Sequence, residues 1–149
     1  MNVIIDTREK VDKNLHVTNY FDKKGIKWYR SKLICGDYQN TQKPMTVIDR
    51  KQSLQEVAGN VCQQHERFVR ELELAKELGY TMIVLIEEPY IKSLGEVPSW
   101  YNWRSKKNPK AVKGKQLFKI MSTMGDKYGV TWLFTTKKDC GKKIIELLS

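Results

Sequence analysis

Apolar positions along this 149-residue chain fall into short runs that alternate between strand and helix spacing. Asn2-Val3-Ile4-Ile5-Asp6 is a brief, β-branched run of the kind that forms a buried strand. Residues 13–24 carry Leu15, Tyr20 and Phe21 and predict a helix that stops at Gly25. Residues 26–34 have strand character and lead into Cys35-Gly36-Asp37-Tyr38; residues 45–50 predict another strand. Residues 63–78 give the clearest helix, with Val61, Phe68, Leu72 and Ala75 on one stripe and Gly79 as terminator. Residues 81–86, Thr-Met-Ile-Val-Leu-Ile, predict a fully buried strand. A helix over 115–128 places Leu117, Met121, Met124 and Tyr128 on a common face, a stripe read as core. Residues 130–134 predict the last strand and 138–148 a closing helix with Ile144, Ile145 and Leu148 inward.

This alternation predicts one domain of α/β class, a mixed sheet covered by helices on both faces. No repeat, low-complexity segment or linker interrupts it. The one long irregular stretch, 87–114, is a candidate functional loop. No apolar run approaches the ~18–20 residues that span a membrane. No basic segment precedes an apolar core at the start, so no secretory signal is read and the expected location is the cytoplasm.

Composition sharpens the picture through charge. The formal net charge is +10, and it is unevenly spread: residues 91–149 hold 13 Lys and Arg against 4 Asp and Glu, while residues 1–90 hold 14 against 13. A one-sided basic surface suits a polyanion, although it also serves solubility. Cys35, Cys62 and Cys140 are widely separated and odd in number, which predicts reduced structural thiols. His16 and His65 show no zinc or nucleophile–base spacing, and no phosphate-binding G-x-x-x-x-G-K-[ST] loop is present.

The chemistry-bearing stretch is Val47-Ile48-Asp49-Arg50-Lys51. In a strand, residues two apart share a face, so Asp49 and Lys51 emerge together while Arg50 points away. Asp37 follows a glycine, whose backbone freedom can aim the next side chain sharply. If the Gly36-Asp37 turn neighbours this strand, Asp37 and Asp49 converge beside Lys51. Close carboxylates repel one another unless a cation sits between them, and hard oxygen donors suit Mg²⁺ or Mn²⁺. The same pattern also arises where a strand end merely carries solvated charges.

Asp, eleven intervening residues, then Asp-x-Lys looks like the PD-(D/E)xK nuclease signature. Ile4-Ile5-Asp6-Thr7-Arg8-Glu9, then Cys35-Gly36-Asp37-Tyr38, then Val47-Ile48-Asp49-Arg50-Lys51, resembles the nuclease domain of the XPF and Hef excision-repair endonucleases. Arg67-Phe68-Val69-Arg70 and Ile83-Val84-Leu85-Ile86-Glu87 continue the resemblance, and Tyr128-Gly129-Val130 extends it more loosely. It implies a restriction-endonuclease-like three-layer fold over residues 1–149, without helix-hairpin-helix or helicase domains. It further implies that Asp6, Asp37 and Asp49 form the acidic, metal-binding site, that Lys51 is the catalytic lysine, and that Arg8, Glu9 and Arg50 support them. The implied activity is metal-dependent hydrolysis of phosphodiester bonds in branched, flap or forked DNA. The rival reading is a non-catalytic scaffold paralogue partnering an active nuclease. Asp49 stands where that family usually has Glu, and Gln55 stands in place of its last Asp, with Glu56 one residue late. Dimerisation or a separate targeting partner is expected to supply substrate selection, and a small stand-alone nuclease would suit a phage or mobile element.

Six basic residues, Arg104, Lys106, Lys107, Lys110, Lys113 and Lys115, follow Trp100, Tyr101 and Trp103 with no acid among them. Cations bind phosphates and aromatic faces stack on exposed bases, so this segment is a candidate nucleic-acid contact. The alternative is a basic loop whose tryptophans pack on the domain edge. Arg67 and Arg70, three apart on one helix, are further candidates.

Overall fold

The computed structural model describes residues 1–149. Six strands form one sheet in the order β2-β1-β3-β4-β5-β6. They are β1 (Asn2–Ile5), β2 (Lys27–Arg30), β3 (Tyr38–Asn40), β4 (Lys43–Lys51), β5 (Thr81–Glu87) and β6 (Thr131–Thr135). Strand β3 runs antiparallel to both β1 and β4; the other neighbours are parallel. The helices are α1 (Leu15–Lys23), α2 (Leu54–Cys62), α3 (His65–Glu77), α4 (Gly114–Tyr128) and α5 (Cys140–Leu148).

Period-two alternation sorts the central strands between two cores. Ile48, Ile83 and Leu85 face α1 and α5, where Val17, Phe21, Ile144 and Leu148 are buried with them. Val47, Met82, Val84 and Ile86 face the other layer, against Leu54, Phe68, Leu72, Leu117 and Met121. Each such side chain contributes about 1.5–3 kcal/mol on burial. Both faces of β5 are therefore covered, which explains its unbroken apolar run from Met82 to Ile86. The expected α/β architecture, a mixed sheet covered by helices on both faces, is the one observed.

Several elements differ from the sequence reading. The polar stretch after Asp37 holds β3, paired on both sides. The helix expected over 63–78 is α3, beginning at His65, and a helix the sequence reading did not include, α2, precedes it with Gln63 and Gln64 between the two. The strand expected over 26–34 ends at Arg30. Residues 87–114 include two short 3-10 turns, Leu94–Ser99 and Trp103–Lys106.

Helix α2 begins almost directly after Lys51 for identifiable reasons. Ser53 is its N-cap, accepting the Glu56 N–H at 3.1 Å, and Glu88, just after β5, accepts the Leu54 N–H at 2.7 Å. Donors otherwise orphaned at the helix start are thus satisfied, and Glu88 complements the positive end of the helix dipole.

Candidate active site

The Gly36-Asp37 turn is pinned to β4. Gly36 has φ +77°, and a Cβ there would lie 3.1 Å from Val47 Cβ and 3.2 Å from the Ile48 carbonyl, so glycine is required for conformation and for space. The Asp37 N–H donates to Ile48 O at 2.7 Å, and the Asp37 carbonyl accepts the Asp6 N–H at 2.8 Å. The Arg50 N–H in turn donates to Asp37 Oδ2 at 2.8 Å. Residues twelve positions apart in sequence thereby bring Asp37 and Asp49 to one place.

A cavity of about 340 Å³ opens there, lined by no hydrophobic residue. Its acids include Asp37, Asp49 and Glu71, and its cations include Lys51 and Arg67. Asp49 is 5% exposed, and its Oδ2 has no hydrogen-bond partner although Lys51 Nζ lies 3.3 Å away. Lys51 Nζ also sits 5.2 Å from the centroid of the Phe68 ring. Burial pulls the Lys51 pKa down, but Asp49, Glu56 and Asp37 outweigh it and hold the ammonium protonated. Asp37 is raised well above the usual carboxylate range, first by burial and then by Asp49 and Glu9. Glu71 is raised too, by burial and Asp49, while the Gly36 N–H bonds its Oε1 at 3.1 Å. Crowded carboxylates that resist sharing negative charge, beside a buried carboxylate oxygen that accepts no hydrogen bond, make a chemically suitable seat for a hard divalent cation.

The structure groups Asp37, Asp49 and Lys51 as the strand spacing implies, and it separates Asp6 from them. Asp6 does not line the cavity. Its Oδ2 accepts from Arg8 Nε at 2.6 Å and its Oδ1 from the Leu33 N–H at 2.8 Å. Burial would raise its pKa, yet the Arg8 bond and the backbone donors prevail and lower it. Asp6 is thus committed to holding the end of β1. The acid that sequence reasoning missed is Glu71, on α3 one helical turn after Arg67. The i, i+4 spacing from Arg67 was its only signal.

Arg8 and Glu9 border the cavity. Glu9 and Arg50 form a buried fork, with Arg50 Nε and Nη2 at 2.8 and 2.9 Å from the two Glu9 oxygens. Arg50 Nη1 reaches Glu87 Oε2 at 3.1 Å, and Tyr38 donates to Glu9 Oε2 at 2.8 Å. Arg50 therefore works beneath the sheet, anchoring the strand that carries Asp49 and Lys51. His16, which showed no partner in the sequence, lies 2.6 Å from Glu87 Oε2. His16, Glu87 and Cys140 offer ligand atoms within 4.8 Å of one another, but Arg50 already supplies the cation there.

The basic segment is split. Trp103, Arg104, Lys107 and Lys110 line a second groove, of about 570 Å³, on the other side of α2. Lys113 and Lys115 line a third depression with Trp100 and Tyr101, at the start of α4. Lys106 is exposed on the 3-10 turn, and Arg70 is exposed on α3 outside the acidic cavity. Trp103 is 60% exposed, whereas Trp100 packs partly buried against the core, so the two tryptophans divide the alternatives. All three cysteines are free, with Cys35 and Cys140 buried. No helix is long and apolar enough to cross a membrane.

No protein-family model matches the sequence, and no curated protein does. Among solved structures, the chain is similar to XPF from Aeropyrum pernix, at TM-score 0.67 and 21% identity over 99% of this chain. It is similar also to XPF from Aeropyrum pernix in complex with DNA, at TM-score 0.69, 20% identity and 99% coverage. The chain spans about 60% of the length of those structures. Sequence motifs, sheet order and backbone similarity agree on the architecture: the chain has an XPF-like, mixed-sheet α/β fold.

Proposed function

We propose that the chain is a metal-dependent DNA endonuclease. The observation that carries this reading is the buried Asp49 Oδ2, without a hydrogen bond and facing only the Lys51 ammonium 3.3 Å away, set with Asp37 and Glu71 around a wholly polar cavity. Asp37, Asp49 and Glu71 are the residues that would hold Mg²⁺ or Mn²⁺. Such an ion supplies a Lewis acid for a phosphoryl oxygen and lowers the pKa of a bound water. Lys51, kept protonated by its acidic neighbours, stabilises negative charge growing on the phosphate. Arg67, on the cavity wall, orients the phosphate. The basic segment after Trp103 neutralises phosphates further along the strand. DNA as substrate class is supported by the likeness to XPF solved with DNA. Preference for forks, flaps or branches rests on the motif resemblance, as does assembly with a second copy or a targeting partner.

The scaffold reading drew on Gln55. Gln55 lines the groove beyond α2 rather than the acidic cavity, so its lack of charge removes nothing from the group around Asp49.

The test incubates purified protein with labelled forks, flaps, duplex and single strands in Mg²⁺, Mn²⁺ or EDTA, beside Asp49→Asn and Lys51→Ala. Cutting that needs metal and falls at least about a hundredfold in both variants is expected. Binding without cutting under every condition would favour the scaffold, and undiminished cutting by both variants would overturn the site.

A further inference from the structure

Helix α2 is a wall between two depressions. Gln52, just before it, and Glu56 face the acidic cavity, while Gln55, Gly59 and Cys62 face the groove that Trp103, Arg104 and Lys107 close from the other side. The acidic cavity lies at the carboxyl end of β4, which runs parallel to β5, and the groove adjoins it across α2. That end of an open α/β sheet is where ligands bind.

Three features of the groove lack an internal explanation. Trp103 is 60% exposed, with Arg104 stacked over its ring at 5.6 Å. Gln55 Oε1 is buried without a hydrogen-bond partner. Gly59 sits inside α2, where glycine costs about 0.5–1 kcal/mol relative to alanine. A Cβ added at Gly59 would meet no atom within 4 Å, so packing does not require the glycine. An occupant of the groove accounts for all three: a flat group to lie on the indole, a donor for the amide oxygen, and volume over Gly59.

We propose that this groove is a subsite for an unpaired nucleotide of the same strand whose phosphate enters the acidic cavity; the proposal rests on the nuclease reading for that second half. The base stacks on Trp103 and offers an amino or imino N–H to Gln55, and its phosphates meet Arg104, Lys107 and Lys110. Crossing one helix takes about 10 Å. At ~3.4 Å per stacked nucleotide the subsite sits about three nucleotides from the scissile bond, fewer where the strand is unstacked. A base can reach the groove only when freed from its complement, so the groove selects strands leaving a duplex.

Cys62 provides a footprint, because it lines the groove and is exposed whereas Cys35 and Cys140 are buried. Alkylation of Cys62 by a maleimide is followed in EDTA with an oligodeoxycytidylate about eight nucleotides long or a blunt duplex. The single strand is expected to slow alkylation at least fivefold, and the duplex not to. Trp103→Ala removes an exposed ring and Gly59→Leu fills open space, so both retain the fold as read by Tm. Each is expected to weaken single-strand binding about tenfold, with blunt-duplex binding changed less than twofold. Unchanged alkylation at saturating oligonucleotide, or equal losses on both DNAs, would overturn the subsite. Because these readings need no metal, a protein that binds as described but never cuts defeats the nuclease reading alone, and one that cuts without protecting Cys62 defeats the subsite alone.

Discussion

The surroundings of Asp37 oppose a negative charge on its carboxyl group. Its raised pKa means the folded protein holds that proton more tightly than the unfolded chain does, so stability falls as pH rises from the ordinary 3.8 through the raised value. Glu71 acts in the same direction. Asp6 acts oppositely: its lowered pKa gives stability that is present above 3.8 and lost as pH falls further. The metal-free protein is therefore expected to melt higher at pH 5.5 than at pH 7.5. Asp37→Asn keeps an acceptor for the Arg50 N–H while removing the repulsion. It is expected to raise the metal-free Tm at pH 7.5 by about 2–4 °C, to flatten the pH dependence, and to abolish cleavage. Mn²⁺ is expected to raise the Tm of the wild type more at pH 7.5 than at pH 5.5, and to leave that of Asp37→Asn nearly unmoved. Thermal scans with and without EDTA read all of these.

Legibility in the sequence also divides by residue. Asp49 and Lys51 could be paired from strand alternation alone, because the β4 pleat is a local rule. The role of Asp6 could not, since its partner Leu33 N–H is 27 residues away and reached through an irregular stretch after β2. Glu71 was hidden for the same reason: a helix surface carboxylate has no local mark telling that Gly36 will bond it.

Among the elements, β4 carries two functions on its two faces. One face presents Asp49 and Lys51; the other buries Arg50 between Glu9 and Glu87. Removing Arg50 leaves two buried carboxylates without their cation, so Arg50→Ala is expected to cost about 3–5 kcal/mol, read as a lower urea midpoint with unchanged slope. Gly36→Ala is expected to cost more than about 1 kcal/mol and to reduce cleavage by displacing Asp37. Elements with a strong apolar pattern, the continuous run of β5 and the helical stripe of α4, were readable directly from the chain. Strand β3 was not, because Tyr38–Asn40 is three residues long and owes its conformation to β1 and β4 on either side. In α2 the spacing of Leu54, Val57, Ala58 and Val61 was helical, but Gly59 and Asn60 are weak helix formers and masked it.

At the scale of the molecule, the net charge of +10 is a statement about partners rather than fold. DNA affinity is expected to fall steeply with salt. Replacing Arg104, Lys106, Lys107 and Lys110 together by Ala is expected to reduce the slope of log affinity against log salt by about three, measured by anisotropy titrations. Tm should barely move, since all four are exposed. A slope unaltered by this change would place the DNA elsewhere on the surface.

The reversed direction of β3 has a practical outcome. It sets the start of β3 level with the end of β4, so the hairpin tip at Thr41 and Gln42 hangs from the opposite rim of the sheet. Nine β4 residues at ~3.3 Å each put close to 30 Å between that tip and Lys51. A fluorophore, an affinity handle or a surface tether inserted at the tip would leave the acidic rim open to bulk solution.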